Sequence, residues 1–411
     1  MEFLAQLFQG VLAIKLGQLV MFIIGGTLIY LAIKKDYEPM LLLPIGFGAI
    51  LINLPYKAMW EFTPEIDPIV TTIIQKYPEF QNLFTEHFHY IIQEGKALKA
   101  EPSIMQVLFR SGILTELMPV LMFLGIGAMM DFSSLLKNPK MLLFGGAAQF
   151  GIFATIIGAQ FLGFDLFHAS AIGIIGAADG PTAIYVATKF AKDLLGPISV
   201  AAYSYMSLVP IIQPPVIRFL TSKEERMRPV PYRDIKVPKI AKIIFPIAVA
   251  VTAGIIAPIS APLIGFLMFG NLLKESGVVG RLSKAAQNEL ANLVTLLLGI
   301  TIGSTMYYET FLQKETLFIM AMGLVAFVFD TAGGVIFAKF LNLFSKEKMN
   351  PMVGAAGISA FPMSCRVIHN MTVQEGSENN ILMQAATANV AGQIASVVAG
   401  SLVLVVVPKL F

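Results

Sequence analysis

Long apolar runs recur along almost the whole chain, and they constrain its fold more than any other feature. Only 13% of the 411 residues are charged, against roughly 25% in an ordinary soluble domain. Such runs suit helices that cross a bilayer, where the backbone must satisfy its own hydrogen bonds. The alternating strands of roughly ten residues that build a membrane β-barrel are not visible. The sequence therefore predicts an all-α polytopic membrane protein.

Two of the predicted spans contain glycine and proline in their middle, at Ala169–Thr188 and Val353–Val367, and are expected to be broken. The continuous spans are predicted at Gly17–Ile33, Met40–Leu54, Gly112–Met129, Met141–Leu162, Ile198–Leu220, Ile240–Ile256, Ile259–Leu273, Leu290–Met306, Leu317–Leu341 and Ile381–Val407. The first ten residues are not basic, and no small-residue cleavage motif follows a short apolar core. The first span is therefore expected to serve as the membrane signal.

Two polar connections interrupt the apolar runs. Tyr56–Arg110 is long and mixed in charge, and its histidines, His87 and His89, have no metal-ligand pattern around them. This segment is interpreted as an extramembrane helical insertion with surface histidines. Ser222–Lys242 has more basic than acidic residues, which predicts a cytoplasmic loop by the positive-inside rule. That loop is either a topology signal, which we favour, or a docking site for an acidic soluble partner.

The first broken span contains the segment GAADGPTAIY at Gly176–Tyr185, which places a carboxylate at membrane depth. A charged side chain there is costly and usually marks an ion or proton path. Pro181 lacks an amide hydrogen and should break the helix. Broken helices expose backbone carbonyls and helix ends, from which transporters build cation sites. The alternative is a re-entrant turn in which Asp179 has only a structural role.

A weak internal repeat accompanies the two broken spans. The blocks LGIGAMMDFSSLL, FGGAAQFGIFA and GAADGPTAIY are followed later by LGITIGSTMYYETFL, FDTAGGVIFA and GAAGISAFPM in the same order. Interrupted apolar segments at matching places of two halves are the best sequence indication of a transporter's binding site. Chance similarity between Gly/Ala-rich helices is the alternative, and the shared order makes it less attractive.

Several polar residues are expected to converge on Asp179. The second broken span supplies Ser359 as a further oxygen ligand for a monovalent cation. In the last span, Asn389, Gln393 and Ser396 share one helix face. Such a stripe either lines a site or makes hydrogen bonds between helices, and both roles are compatible.

Other charged and phenolic groups lie close to these segments. Arg366 needs a partner at membrane depth, and Asp179 is the predicted one. A cation near Asp179 would then compete with Arg366 or a proton for the same carboxylate. Tyr205 is predicted to relay a proton or orient that carboxylate, with an interfacial anchor as the alternative. Asp330 is a second intramembrane carboxylate, and the sequence does not decide between a place on the ion path and a structural pairing.

Four motifs, in order, resemble the membrane β subunit of the sodium-pumping biotin-dependent decarboxylases, which act on oxaloacetate, methylmalonyl-CoA, glutaconyl-CoA or malonate. They are GAADGPTAIY, AAYSYMSLVPIIQPP, GAAGISAFPMSCRV and TANVAGQIASVVAG. The resemblance implies a subunit that decarboxylates carboxybiotin held by a separate carrier, consumes a proton from the outer side and exports sodium. It also implies an inverted-repeat fold with a scaffold and a moving transport part.

The resemblance also implies roles for individual residues. Those carried over are Asp179, Tyr205 and Arg366 as catalytic residues, Arg366 and Asn350 on the carboxybiotin side, and Asp179, Ser359, Asn389 and Gly354 as sodium ligands. No biotin-attachment motif is present in this chain. The implied partners are therefore a biotin carrier subunit, a carboxyltransferase subunit and a small membrane subunit, and the sequence leaves the oligomeric state open.

These expectations combine into one hypothesis with one rival. The chain is expected to be a multi-pass protein of a bacterial cytoplasmic (inner) membrane. Its predicted divisions are N-terminal helices with the insertion (1–111), a first transport repeat (112–221), the basic loop with connecting helices (222–289) and a second transport repeat (290–411). The rival function is a stand-alone sodium/proton antiporter, which would use the same broken helices and the same Asp179.

Overall fold

The computed structural model describes most of the chain. The described residues are 13–55, 65–66, 68–78, 90–93, 96–99, 103–229, 236–345, 348–376 and 381–410. His87, His89 and residues 230–235 of the basic loop lie outside them.

The N-terminal region begins with a pair of apolar helices that pack on each other and continues into the insertion. Its elements are α1 (Leu16–Lys35), α2 (Pro39–Ile52), β1 (Glu65–Ile66), α3 (Pro68–Lys76), β2 (Tyr90–Gln93), β3 (Lys96–Lys99) and α4 (Ile104–Leu108), which runs into a π-helical turn at Phe109–Leu114. The strands form a small antiparallel sheet in the order β1-β3-β2. The insertion is therefore not purely helical, which corrects the prediction from the sequence.

The central region contains the first interrupted span. Its helices are α5 (Leu117–Met129), α6 (Ser133–Lys137), α7 (Leu142–Ala147), α8 (Phe150–Phe161), α9 (Leu166–Gly173), α10 (Gly180–Phe190), α11 (Leu195–Ser207), α12 (Val209–Leu220) and α13 (Lys223–Arg226). Short 3-10 turns lie at Pro139–Met141, Ile174–Ala177 and Lys192–Leu194.

The C-terminal region contains the second interrupted span. Its helices are α14 (Lys239–Ile256), α15 (Ala261–Ser276), α16 (Gly280–Ala285), α17 (Ala291–Gly303), α18 (Tyr308–Phe311), α19 (Lys314–Phe344), α20 (Met352–Ala355), α21 (Met363–Gln374) and α22 (Leu382–Val406). A π-helical turn at Ala286–Leu290 and 3-10 turns at Pro258–Ser260 and Val407–Leu410 complete it.

Length and apolar composition identify the membrane-crossing helices. Among the described residues, 6 helices can cross a membrane, or up to 8 if two bent pairs each count as one span. The prediction of an all-α polytopic membrane protein is therefore confirmed. The predicted span Ile198–Leu220 is not one straight helix, because α11 and α12 meet at 66°. Pro210 lies in the first turn of the new helix, and proline cannot continue the preceding turn.

Glycine lets neighbouring helices approach until their backbones touch. A Cβ added at Gly127 of α5 would lie 1.8 Å from the Leu267 carbonyl oxygen of α15, and one at Gly270 of α15 would lie 2.1 Å from that of Leu124. In a bilayer, where the hydrophobic effect does not hold helices together, such close packing is a main source of helix association. The same close packing recurs around the centre of the protein, where α7, α8, α19 and α22 surround the two interrupted spans.

Candidate functional site at the meeting of two hairpins

The first interrupted span breaks within the predicted segment Gly176–Tyr185, at Ala178 and Asp179. After the turn Ile174–Ala177, Ala178 adopts a left-handed conformation (φ 53°) and Asp179 is extended. α10 then begins at Gly180 with Pro181 in its first turn, a position where the missing amide hydrogen is no loss. The predicted break is confirmed, and within Gly176–Tyr185 only Ala178 and Asp179 lie outside a helix or helical turn.

The two arms of this span return to the same side. The rings of Phe167 and Phe190 lie edge to face with centroids 5.1 Å apart. Nε2 of His168 is 3.1 Å from Oδ1 of Asp193, just beyond the end of α10. α9 and α10 with the turn between them therefore form a hairpin, called here the first hairpin (166–190).

The second interrupted span has the same form. α20 ends at Ala355, the chain crosses an irregular stretch, and α21 begins at Met363. Nδ2 of Asn350, just before α20, donates to the Arg226 carbonyl at 2.7 Å. The Arg226 guanidinium in turn pairs with Glu375, just after α21, at 3.0 Å. Both ends are thus fixed to α13, and residues 352–374 form the second hairpin.

The tips of the two hairpins meet. The backbone amide and the hydroxyl of Ser359 both donate to the Ala177 carbonyl, at 3.1 and 2.7 Å. The bent pair α11–α12 connects the end of the first hairpin to α13, where the second hairpin is fixed. α22 starts shortly after the second hairpin, and the turn that follows it packs against α9. The hairpins therefore approach each other from opposite ends of α22.

Asp179 lies at this meeting point and is only 2% exposed. Its Oδ2 accepts hydrogen bonds from the hydroxyls of Thr182 at 2.8 Å and Ser396 at 2.6 Å. A buried carboxylate is tolerated only with such partners or with a bound cation. Two neutral donors on one oxygen hold the group in place and leave its charge to be balanced by something else.

Two unused oxygen atoms lie on the face of α22 that also carries Ser396. Nδ2 of Asn389 donates to the Ile358 carbonyl at 2.7 Å, and Nε2 of Gln393 donates to the Ser359 carbonyl. Their amide oxygens, Oδ1 and Oε1, are buried and accept no hydrogen bond from a described residue. Buried acceptors are normally satisfied, so two exceptions one turn apart on the helix that holds Asp179 through Ser396 require an explanation. A cation with oxygen ligands supplies one.

Arg366 does not pair with Asp179, which corrects the prediction. It lies one turn into α21, away from the tip, and its side chain is exposed. The Arg366 guanidinium instead interacts electrostatically with the carboxyl of Glu38, at the start of α2. Burial raises the pKa of the Glu38 carboxyl, and the Arg366 charge offsets part of that rise. The helical rise of α21 explains the separation, because it carries Arg366 from the tip towards the fixed ends of the hairpin.

The structure places two other predicted residues against α19 instead of the carboxylate. The Tyr205 hydroxyl donates to the Met320 carbonyl. Gly354 packs on Gly334, with an added Cβ only 2.0 Å from the Gly334 carbonyl oxygen. The tyrosine beside the break is Tyr203, whose ring covers Gly180 so closely that a Cβ there would lie 2.3 Å from its Cζ.

Asn350 is buried, and its side chain joins the second hairpin to the basic loop. Besides the bond to Arg226, Nδ2 lies 3.3 Å from the Arg228 carbonyl, and Oδ1 accepts from the Met352 amide at 3.0 Å. The resemblance placed this residue on the carboxybiotin side. Its observed contacts give it a structural duty at the fixed end of the hairpin.

Replacing Asn350 by Ala should therefore destabilise the protein. The change leaves buried carbonyl and amide groups without partners, which costs about 1–3 kcal/mol. We expect a lower midpoint of thermal unfolding for the detergent-purified protein. The matched control is Asn288→Ala, because Asn288 is exposed on a helical turn. Equal midpoints for the two variants would contradict this role of Asn350.

The sequence analysis missed some residues that shape the site. Thr182 lies three residues after Asp179. At that spacing a hydroxyl in the first turn of a helix can donate to the carboxylate before the helix, so this contact could have been predicted from the sequence. Gln213, fully buried in α12, donates to the Ala355 carbonyl and to the Ser364 hydroxyl, both at 2.9 Å. It braces the second hairpin, and only the packing of α12 reveals this. No sequence pattern around Glu38 indicated that it would lie near Arg366.

Comparison with known proteins agrees with this architecture. The family model described as the Na+-transporting oxaloacetate decarboxylase beta subunit matches residues 17–407. The oxaloacetate decarboxylase beta chain of Haemophilus ducreyi is 44% identical over 98% of both chains. The methylmalonyl-CoA decarboxylase subunit beta of Propionigenium modestum is 45% identical over 96% of both chains. The glutaconyl-CoA decarboxylase subunit beta of Acidaminococcus fermentans is 44% identical, over 97% of this chain and 96% of that one.

The match covers both hairpins, α22 and nearly all of the remaining described helices. Relatives with three different named substrates have nearly equal identity to this chain, so the comparison fixes the type of subunit without choosing a substrate. The chain belongs to the family of Na+-transporting decarboxylase beta subunits.

Proposed function

We propose that this chain is the membrane subunit of a sodium pump, in which decarboxylation of carboxybiotin on a partner carrier drives sodium export and consumes a proton. The observation that carries this proposal is the Asp179 carboxylate, which is buried where two hairpin tips meet and is held by Ser396 of α22, a helix with two unused buried amide oxygens. Family membership favours this function over a stand-alone sodium/proton antiporter, because the relatives are named as decarboxylase subunits.

The sodium ion is expected to bind between Asp179 and α22. The carboxylate, Oδ1 of Asn389 and Oε1 of Gln393 supply oxygen ligands, and the interrupted tips add backbone carbonyls. Ser359 is a further proposed ligand, because its hydroxyl donates its hydrogen to the Ala177 carbonyl and keeps its oxygen lone pairs available. Sodium and a proton then compete for the carboxylate, so the site is either ionised with sodium bound or protonated without it.

This competition gives the coupling that a pump needs. Moving one positive charge outward against the membrane potential requires about 2.3 kcal/mol per 100 mV. Decarboxylation must wait until sodium occupies the site, because otherwise its free energy is released without transport. A site shared by sodium and the proton that the reaction consumes links the two events through a single carboxylate.

The opposed hairpins are consistent with an inverted repeat, in which residues 112–221 and 290–411 form two halves of opposite orientation. Residues 1–111 and the connection 222–289 then belong to the scaffold and the connecting elements. Transporters with this design move one part against another around a fixed midplane site. The meeting of Ser359 with Ala177 is the contact that such a movement would have to open or shift.

The side of the second hairpin is proposed to face the cytoplasm and the biotin carrier. The basic loop Ser222–Lys242 starts there, and basic loops are usually cytoplasmic. Arg366 is exposed on α21 with no ion pair among the described residues, so it is free to bind the carboxylate of carboxybiotin. The carrier, the carboxyltransferase and a small membrane subunit complete the proposed complex, located in the inner membrane of a bacterium.

Affinity purification from the native host tests this function. We expect a biotinylated protein, visible with labelled streptavidin, to copurify with the tagged chain. Vesicles containing the resulting complex should take up sodium when the correct carboxylated substrate is added. Vesicles with this chain alone should not exchange sodium for protons. Sodium/proton exchange by the lone chain, without any copurifying biotinylated protein, would instead establish the antiporter.

A further inference from the structure

Asp330 is the other carboxylate buried at membrane depth, and the function proposed above does not use it. It lies near the middle of the 31-residue helix α19 and is fully buried. Neither of its oxygens accepts a hydrogen bond of ordinary geometry from a described residue. An ionised carboxylate without a partner is very costly away from water. The group must therefore spend at least part of its time bound to a cation or a proton.

The carboxyl occupies a narrow slot between two glycines. A Cβ added at Gly151 in the first turn of α8 would lie 2.3 Å from Oδ1. One added at Gly176, in the turn that leads into Asp179, would lie 2.7 Å from Oδ2. No side chain larger than hydrogen fits at either place without moving Asp330. The sequence thus keeps room for this carboxyl against the segment that carries the ion site.

The chemistry of the slot suits a proton better than sodium. The donors close to the carboxyl are the backbone amides of Gly151 and Ile152, at the positive end of α8. The Ala326 carbonyl, one turn earlier on α19, approaches Gly151 as closely as Asp330 does, at 2.4 Å from the same Cβ position. The amides face an ionised carboxylate, and the carbonyl can accept from a protonated one. A sodium ion would need several oxygens, and amide hydrogens would repel it.

We propose that Asp330 is a second titratable site of the transport core, which binds and releases a proton and transmits its state to Asp179 through the turn Ile174–Ala177. The proposal rests on the proposed function, because it names a place where the consumed proton is held. Protonation of the carboxylate forms one O–H bond and removes one negative charge, with no other reactant. The carboxyl then shifts from the amides of α8 towards the Ala326 carbonyl, and its contact with Gly176 changes.

The elements that close the slot around Asp330 carry no other ionisable side chain. The helices α7, α8 and α20 and the turn Ile174–Ala177 contain none. The remaining elements packed on α19 contribute His168 of α9, Tyr203 and Tyr205 of α11 and Arg218 of α12, and α19 itself has Lys314, Glu315 and Lys339. His168 is paired with Asp165 and Asp193, and Lys339 with Glu225. The Tyr205 hydroxyl contacts α19 at Met320, ten residues before Asp330.

Infrared difference spectroscopy of the complete complex in membranes tests this assignment. A protonated carboxyl has its own C=O band, which shifts in heavy water. We expect a band that is lost in Asp330→Asn, that persists in Asp179→Asn, and that weakens as the pH is raised. Adding sodium to the wild type should change its intensity. An Asp330 band that ignores pH and sodium, or no such band at any pH, would overturn the proposal.

Function supplies the second measurement. Asp330→Asn should reduce decarboxylation turnover by about 100-fold, as expected when a proton-transferring group is lost. Sodium should still bind, because the proposed ligands of the ion do not include Asp330, but the part of the pH dependence of sodium affinity that comes from titration of Asp330 should be lost, as measured by equilibrium binding. A comparable loss of sodium affinity would make Asp330 a sodium ligand and refute a proton site. Either failure leaves the role of Asp179 open to its own test.

The glycine slot allows a test that leaves the Asp330 residue itself unchanged. Gly151→Ala should displace Asp330 and shift the same infrared band. At Gly146 of α7 an added Cβ meets no atom within 4 Å, so Gly146→Ala should leave the band unchanged. Identical bands in the two variants would contradict the slot geometry on which the proposal depends.

Discussion

Replacing Asp179 by Asn should leave the complex assembled but abolish both sodium transport and sodium-stimulated decarboxylation. The amide keeps the size of the side chain and can still accept from Thr182 and Ser396, which now hold Oδ2. It removes the charge that attracts the cation and the group that takes up the proton. The measurement is sodium uptake into vesicles that contain the complex, together with turnover at saturating sodium.

Two further variants separate the loss of the Asp179 charge from a general effect of the substitution. Asp131→Asn is the matched control, because Asp131 is an exposed carboxylate at the end of α5 and should tolerate the change. Asp179→Glu should retain little activity, since a displacement of about 1 Å in a packed site can cost about 100-fold. Carboxyl transfer to biotin on the partner should survive in all three. Substantial sodium uptake by Asp179→Asn would refute the coupling role.

Much of this architecture could be predicted from the sequence, because a bilayer restricts the secondary structure that an apolar segment can adopt. Apolar runs predicted most helices, since a helix is nearly the only spanning structure that satisfies its own backbone. Glycine and proline predicted both interruptions, because a broken helix needs those residues at its break. The bend at Leu208 was missed, because the proline responsible lies within an otherwise apolar run.

The contacts inside the site were less predictable. Asn389, Gln393 and Ser396 share one face of α22, because spacings of four and three residues bring side chains to the same side of a helix, and Ser396 contacts Asp179. Their joint role as sodium ligands with Asp179 stays a prediction. Arg366 was assigned the wrong partner, since its distance from the tip depends on how the second hairpin is held at its ends. Those ends are held by Asn350, Arg226 and Glu375, which are far apart in sequence. No spacing rule connects them.

Gly354 has one role implied by the family resemblance and another indicated by the structure. The resemblance implies a sodium ligand, whereas the structure shows close packing against another helix. The Gly354 carbonyl already accepts the Gly357 amide at 3.0 Å. Its Cα lies against Gly334 of α19, and each of the two glycines leaves no room for a Cβ on the other. An added Cβ at Gly354 would lie 2.0 Å from the Gly334 carbonyl oxygen and 2.6 Å from its carbon. Both are backbone atoms, which cannot rotate away as the end of a side chain could.

Gly354→Ala should therefore lower stability without selectively weakening sodium binding. Overpacking of this kind typically costs about 1–3 kcal/mol, and more where the obstacle is backbone. We expect a lower midpoint of thermal unfolding, with the increase caused by saturating sodium unchanged. Gly265→Ala in α15 is the control, because its Cβ would meet no atom within 4 Å. If Gly354→Ala keeps the wild-type midpoint but loses the sodium-dependent increase, Gly354 is a sodium ligand after all. The contact between α19 and α20 would then not determine the stability of the protein.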